Sequence, residues 1–246
     1  MIELDARLFI EMIHALLTTE RSIRGQTGEL TPMLRDMRDQ ANNEMIAGLQ
    51  KLDLPVSIKT AQEMVMGART IEAMHKAIEQ LWNTVALELD GRKFYGPLTK
   101  FAPYYEQPKL FGDEVFNKFP SAKNDIFEAG TCLALERGTA TVMHLMRVVE
   151  VGLKVLASTL GVGAQGDWGG YIRAIDDALT ARIKAAGKRT PDEQFYAEVR
   201  VTLDSVKMAW RNATMHVENN YSPERAEEIL GSVRTLMRHL ATRLSE

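Results

Sequence analysis

Apolar residues recur at spacings of three and four along most of this chain, the pattern of helices that bury one face. Leu4, Leu8, Met12, Ile13, Leu16 and Leu17 predict a first helix that ends near Arg24-Gly25. Thr31-Pro32 predicts the start of a second. Threonine caps free amides there, and proline suits the first helical position, where no amide is required. That helix runs toward Leu52, and Leu54-Pro55 breaks it because the residue before a proline is pushed out of helical geometry. A third, long helix is predicted over 58–89, with Asp90-Gly91 as its stop. Strand alternation bounded by hairpin turn pairs is nearly absent, so the expected class is all-α.

The pattern changes at 92–120. Phe94, Tyr95, Phe101, Tyr104, Tyr105, Phe111, Phe116 and Phe119 are interleaved with Pro97, Pro103, Pro108 and Pro120. Prolines this dense forbid a continuous helix. An irregular connector that packs its aromatics onto a neighbouring domain is expected, and an exposed stacking platform for single-stranded nucleic acid is the other reading. Beyond it the helical period returns. One segment covers 121–160, with kinks expected near Gly130 or Gly138. Asp167 caps a helix through Ile172, Ile175 and Leu179. Thr190-Pro191-Asp192-Glu193 is a capping box opening a helix that reaches about His216. Ser222-Pro223 opens the last helix, through Ile229, Val233, Leu236 and Leu240. The expected organisation is an N-terminal helical region (1–91), the connector (92–120) and an antiparallel four-helix bundle (121–246).

Composition narrows the classes. With 246 residues, 45% hydrophobic and 26% charged, the chain can bury a core without disulfides. The single cysteine, Cys132, forms no internal disulfide and suits a reducing compartment. Glu3, Asp5, Arg7 and Glu11 interrupt the apolar start, unlike a secretory leader, and no window has the apolar length of a membrane span. A cytoplasmic protein without membrane contact is expected. The net charge of −3 and pI of about 6.0 exclude a generally basic coat, so any nucleic-acid contact rests on a local patch.

Several motifs dissolve on inspection. Gly161-Val162-Gly163-Ala164-Gln165-Gly166 spells a dinucleotide fingerprint but follows a helix instead of a strand. Asn212-Ala213-Thr214 is a glycosylation sequon without a secretory context. No histidine among His14, His75, His144, His216 and His239 pairs with another or with Cys132 at ligand spacing, so no metal and no cofactor is expected. His14, His75 and His144 read as packing histidines, the methionines as core, and Asp176, Asp177, Asp192 and Glu193 as capping or solvated acids.

The segment Arg211-Asn212-Ala213-Thr214-Met215-His216 is different. On a helix Asn212 and His216 share a face, and Arg211 lies about 140° from His216, within reach of a curling side chain. An arginine can grip a phosphate with two parallel hydrogen bonds, and a histidine can move a proton at neutral pH. Taken alone the spacing is common, and capping or ion pairing is the usual role of such residues. The surrounding order changes its meaning. The motif ends the third helix of a predicted bundle, follows Trp210, and precedes a polar turn and a strongly capped helix. Upstream, Arg147-x-x-Glu150-x-x-Leu153-Lys154 lies on the first bundle helix. Residues 121–246 thereby resemble the HEPN superfamily of helical bundles, whose signature is Arg, a polar residue, three residues, then His.

That resemblance implies a metal-independent endoribonuclease, with a homodimer or higher even oligomer pooling its Arg/His sets in one cleft. RNA, tRNA included, would be cut by its own 2′-OH to leave a 2′,3′-cyclic phosphate. Arg211 and His216 would be catalytic, Asn212 would orient, and Glu150 with Arg147 would support. The setting implied is a toxin–antitoxin or antiphage system, with an antitoxin or defence-partner protein. Some members keep the bundle without cleavage and serve as dimerising modules that bind a protein or nucleotide, which is the alternative expectation.

Overall fold

Caps read from the sequence stand at the starts of helices in the computed structural model, which describes residues 6–93, 96–211 and 220–246. The chain divides into two compact units, Met1–Phe94 and Tyr95–Glu246. No strand occurs among the described residues, and none of their helices is long and apolar enough to cross a membrane.

In the first unit α1 spans Ala6–Ile23, α2 Pro32–Lys51, α3 Pro55–Thr60 and α4 Ile71–Leu89. Thr31 accepts from the Leu34 amide, as its capping role requires. Leu30, Met45, Leu49, Leu54, Met74 and Leu81 are buried at the centre. The long helix expected over 58–89 is interrupted. After α3 the backbone makes one π-helical turn, Ala61–Val65, and Thr70 caps a fresh helix through the Ala73 amide. The cause is a pairing far apart in sequence. The Leu30 amide donates to the Arg69 carbonyl, the Ile71 amide to the Gly28 carbonyl, and Arg38 donates to the Ala68 carbonyl. These bonds satisfy backbone groups that a continuous helix would have used itself.

The second unit contains α5 (Asp113–Lys118), α6 (Lys123–Ala134), α7 (Gly138–Thr159), α8 (Trp168–Ala186), α9 (Pro191–Val206) and α10 (Pro223–Ala241). Asp167 accepts from the Gly170 amide at 2.6 Å. The Thr190–Glu193 capping box is complete, and Ser222 accepts from the Arg225 amide. The aromatic stretch belongs to this unit. Phe101, Phe111 and Phe119 lie at 2%, 1% and 0% exposure in its core, which excludes them as stacking surfaces. Tyr104 is anchored at its hydroxyl, which donates to Glu227 at 2.7 Å. Phe94 and Tyr95 lie outside the described residues.

Residues 121–160 form a hairpin in place of one helix. The turn closes on Glu136 in the left-handed region (φ +58°), a conformation that costs a non-glycine residue energy unless its surroundings impose it. Here the Glu136 amide donates to the Leu133 carbonyl and the Arg137 amide to the Cys132 carbonyl. Gly138 then starts α7 with no room for a side chain. A Cβ there would clash with the Tyr221 carbonyl oxygen and stand 2.8 Å from that of Ser222. The same junction is fixed by the Tyr221 amide, which donates to Thr139 Oγ1 at 3.0 Å. Gly231, on α10, faces open space. Gly138→Ala should therefore destabilise by about 2 kcal/mol, an overpacking cost exceeding the helix-propensity gain. Gly231→Ala should stabilise by about 0.5–1 kcal/mol, and urea denaturation of the two variants checks the opposite signs.

Candidate functional site

Helix α9 passes into a π-helical turn, Lys207–Arg211, whose tryptophan, Trp210, packs on the core. That turn packs against α7. Arg211 is its last residue, while Asn212 and His216 lie outside the described residues. Of the sequence-predicted site residues, Arg147 and Glu150 are the two whose side chains can be placed. Both stand on α7, where Leu153 is fully buried and the polar members of the Arg147–Lys154 pattern reach solvent.

Arg147 does not reach Glu150 as its main partner. Its Nε donates to Asp125 Oδ1 at 2.7 Å. The bond and charge of Asp125 hold the guanidinium more firmly protonated than usual. Glu150 pairs with Lys154 one turn on, at 2.8 Å. The hydrogen bond from Lys154 to Glu150, reinforced by their opposite charges, likewise raises the lysine.

Asp125 is the hub of a second constellation. The hairpin turn at Glu136 sets the register: Asp125 lies eleven residues before it and Arg147 eleven after (136 − 125 = 147 − 136). On paired helices these positions meet. His144 Nδ1 stands 2.8 Å from the same Asp125 Oδ1 that holds Arg147. Asp125 is buried, while His144 keeps 29% of its side chain exposed. A carboxylate accepts and cannot donate, so Nδ1 carries the hydrogen and Nε2 of neutral His144 has its lone pair available.

Two further groups complete the cluster. Glu128 and Cys132, four apart on α6, share a face with a one-turn offset. One ligating atom each from Glu128, Cys132 and His144 lies within 4.8 Å of the other two. This corrects the expectation that no histidine meets Cys132, and with it the reading of His144 as a packing residue. The pairing spans twelve residues (144 − 132) across a turn that sequence periodicity did not place. The thiol is not tuned as a nucleophile. Burial pushes the Cys132 pKa up, the Glu128 charge adds to that, and Arg137 only partly opposes it.

The remaining sequence candidates are structural. Asp192 pairs with Arg243 at 2.8 Å, Asp176 with Arg200, and Glu193 is bound in the α9 cap. His14 is exposed instead of packed, and His75 Nε2 stands 3.4 Å from the Ile23 carbonyl oxygen. Met33, Met143 and Met208 are exposed, unlike the buried Met45, Met74 and Met237. The Gly161–Gly166 stretch is a loop after α7, with no strand before it. A groove of about 440 Å³ in the first unit is lined by Leu17, Glu20, His75, Ile78, Glu79 and Trp82. Its two acids and one half-buried histidine offer no grip for an anion. No protein-family model, curated protein or solved structure matches this chain.

Proposed function

We propose that the chain is a metal-independent endoribonuclease of the HEPN type, acting as a homodimer or higher even oligomer from the cytoplasm in a toxin or antiphage setting. The observation that carries this reading is that the sequence Arg211-Asn212-x3-His216 begins on the last residue of a π-helical turn. Arg211 ends a π-helical turn after the capping-box helix α9, that turn packs against α7 with its Arg147/Glu150 pattern, and the polar segment leads into the capped helix α10. Deviations into π-helix inside a longer helix are often kept where a side chain must be re-aimed for function. On this reading α7–α10 are the helices of an antiparallel four-helix HEPN-like bundle, and α6 is an additional helix paired to the first.

The chemistry asks little of the protein. The substrate's 2′-oxygen attacks its own phosphorus while the bond to the 5′-oxygen breaks. His216 moves a proton and Arg211 stabilises the phosphorane charge. Asn212 orients, and Glu150 supports the set from α7. Purified protein incubated with tRNA and total RNA should yield fragments ending in 2′,3′-cyclic phosphate and 5′-OH, with EDTA changing neither the ends nor the pattern. RNA left intact under every condition favours the alternative, a non-catalytic helical module that dimerises and binds a protein or nucleotide. Two observations speak for that alternative: the acidic balance of the chain, −3, and the commitment of Arg147 to Asp125.

A further inference from the structure

We propose that Glu128, Cys132 and His144 form a binding site for one zinc-like divalent ion on the α6–α7 hairpin, with Asp125 orienting the histidine. Ligand type is the first reason. A thiolate, an imidazole nitrogen and a carboxylate are each a zinc donor, whereas calcium and magnesium take oxygen alone. Spacing is the second. Tetrahedral zinc with ordinary bond lengths holds its ligand atoms about 3.2–3.7 Å apart. The three atoms here already lie within 4.8 Å of one another, so side-chain rotation of about an ångström brings them to coordination distance. Helix α6 supplies Glu128 and Cys132 one turn apart, and α7 supplies His144 from across the hairpin.

Asp125 is the third reason. Metal-bound histidines ordinarily donate their other ring N–H to a carboxylate, which fixes the tautomer and frees the ligating nitrogen. His144 already makes that bond through Nδ1 at 2.8 Å, to a buried aspartate whose same Oδ1 also accepts from Arg147. On binding, the Cys132 S–H releases its proton to solvent and the sulfur–metal bond forms. Thiolate and carboxylate then match the 2+ charge, leaving a fourth position for water or a further group. Arg137 opposes the cation at longer range, and Arg147 is neutralised by Asp125. A single-site ion here clamps α6 to α7 across the strained Glu136 turn.

The test uses full-length protein stripped with a chelator and titrated with Co²⁺, then with Zn²⁺ against a chromophoric competitor. One equivalent of Co²⁺ should produce a thiolate-to-metal charge-transfer absorption in the near ultraviolet, displaced by Zn²⁺. Cys132 is the single cysteine, so that band identifies it as the ligand. Cys132→Ser should abolish the band, and His144→Ala should weaken Zn²⁺ binding at least a hundredfold. Asp125→Asn should weaken it about ten- to a hundredfold while the band persists. Zn²⁺ should raise the melting temperature of the wild-type protein and leave that of Cys132→Ser unchanged. Wild-type protein that shows no band with Co²⁺, or Zn²⁺ affinity equal in all the variants, overturns the site. No readout depends on RNA cleavage, so the site and the nuclease reading can fail separately.

Discussion

His216→Ala should lower RNA cleavage by about a hundred- to ten-thousandfold, the usual loss when a positioned proton-transfer group is removed. Arg211→Lys should fail comparably, for a different reason. A lysine ammonium keeps the charge but presents a point donor, and it cannot reproduce the planar two-bond grip of a guanidinium on a phosphate. Single-turnover cleavage of a defined RNA measures both losses. The stability of the two variants separates catalysis from architecture. A group whose work is done on substrate contributes little to the core, so the unfolding free energy from urea denaturation should change by no more than about 0.5 kcal/mol. A large midpoint shift without any wild-type cleavage points instead to an ordinary structural pair. Cleavage surviving in both variants places the active site elsewhere.

Phe119→Ala should destabilise the second unit by about 3–5 kcal/mol, the cost of truncating a fully buried aromatic without refilling its volume. Phe119 is 0% exposed and shares the core with Phe101, Phe111 and Val115. Such a loss is a large fraction of the stability of a unit this size. Had this stretch been an exposed platform for nucleic acid, the same change would have left folding untouched. The measurement is urea denaturation followed by tryptophan fluorescence in a Trp82→Phe background. Trp82, in the first unit, is 48% exposed and tolerates replacement, whereas Trp168 is buried in the second unit's core and reports on it. The midpoint should fall steeply, with the first unit's helices still present by circular dichroism.

How much of this was legible in the chain divides by distance along it. Thr31, Asp167, Thr190 with Glu193, and Ser222 cap the helices whose starts they predicted, because a cap bonds to an amide three residues away and needs no partner from elsewhere. The all-α class and the apolar faces of α7 and α10 follow equally from local period. The break at 61–70 did not. It depends on Gly28, Leu30 and Arg38 capturing the carbonyls and amides of residues 68–71, a choice made by residues 30 to 43 positions earlier. The hairpin turn at Glu136 was hidden for a related reason. A left-handed glutamate carries no residue signature, since the surrounding packing imposes it.

The candidate sites split along the same line. Arg211 to His216 could be read because its members are neighbours in the sequence, where helical spacing would put Asn212 and His216 on one face. Asp125, Glu128, Cys132 and His144 could not, since each alone is an ordinary helical residue and their chemistry exists only once α6 folds back on α7. The sequence by itself determined the all-α class and the capped starts of α2, α8, α9 and α10. Only the tertiary structure decided that the aromatic stretch is core, that residues 121–160 make two helices, and that a buried aspartate holds a histidine beside the lone cysteine. Helix caps and periods are satisfied within a few residues. A turn's strain, a buried carboxylate and a ligand cluster are settled by groups that meet only through packing.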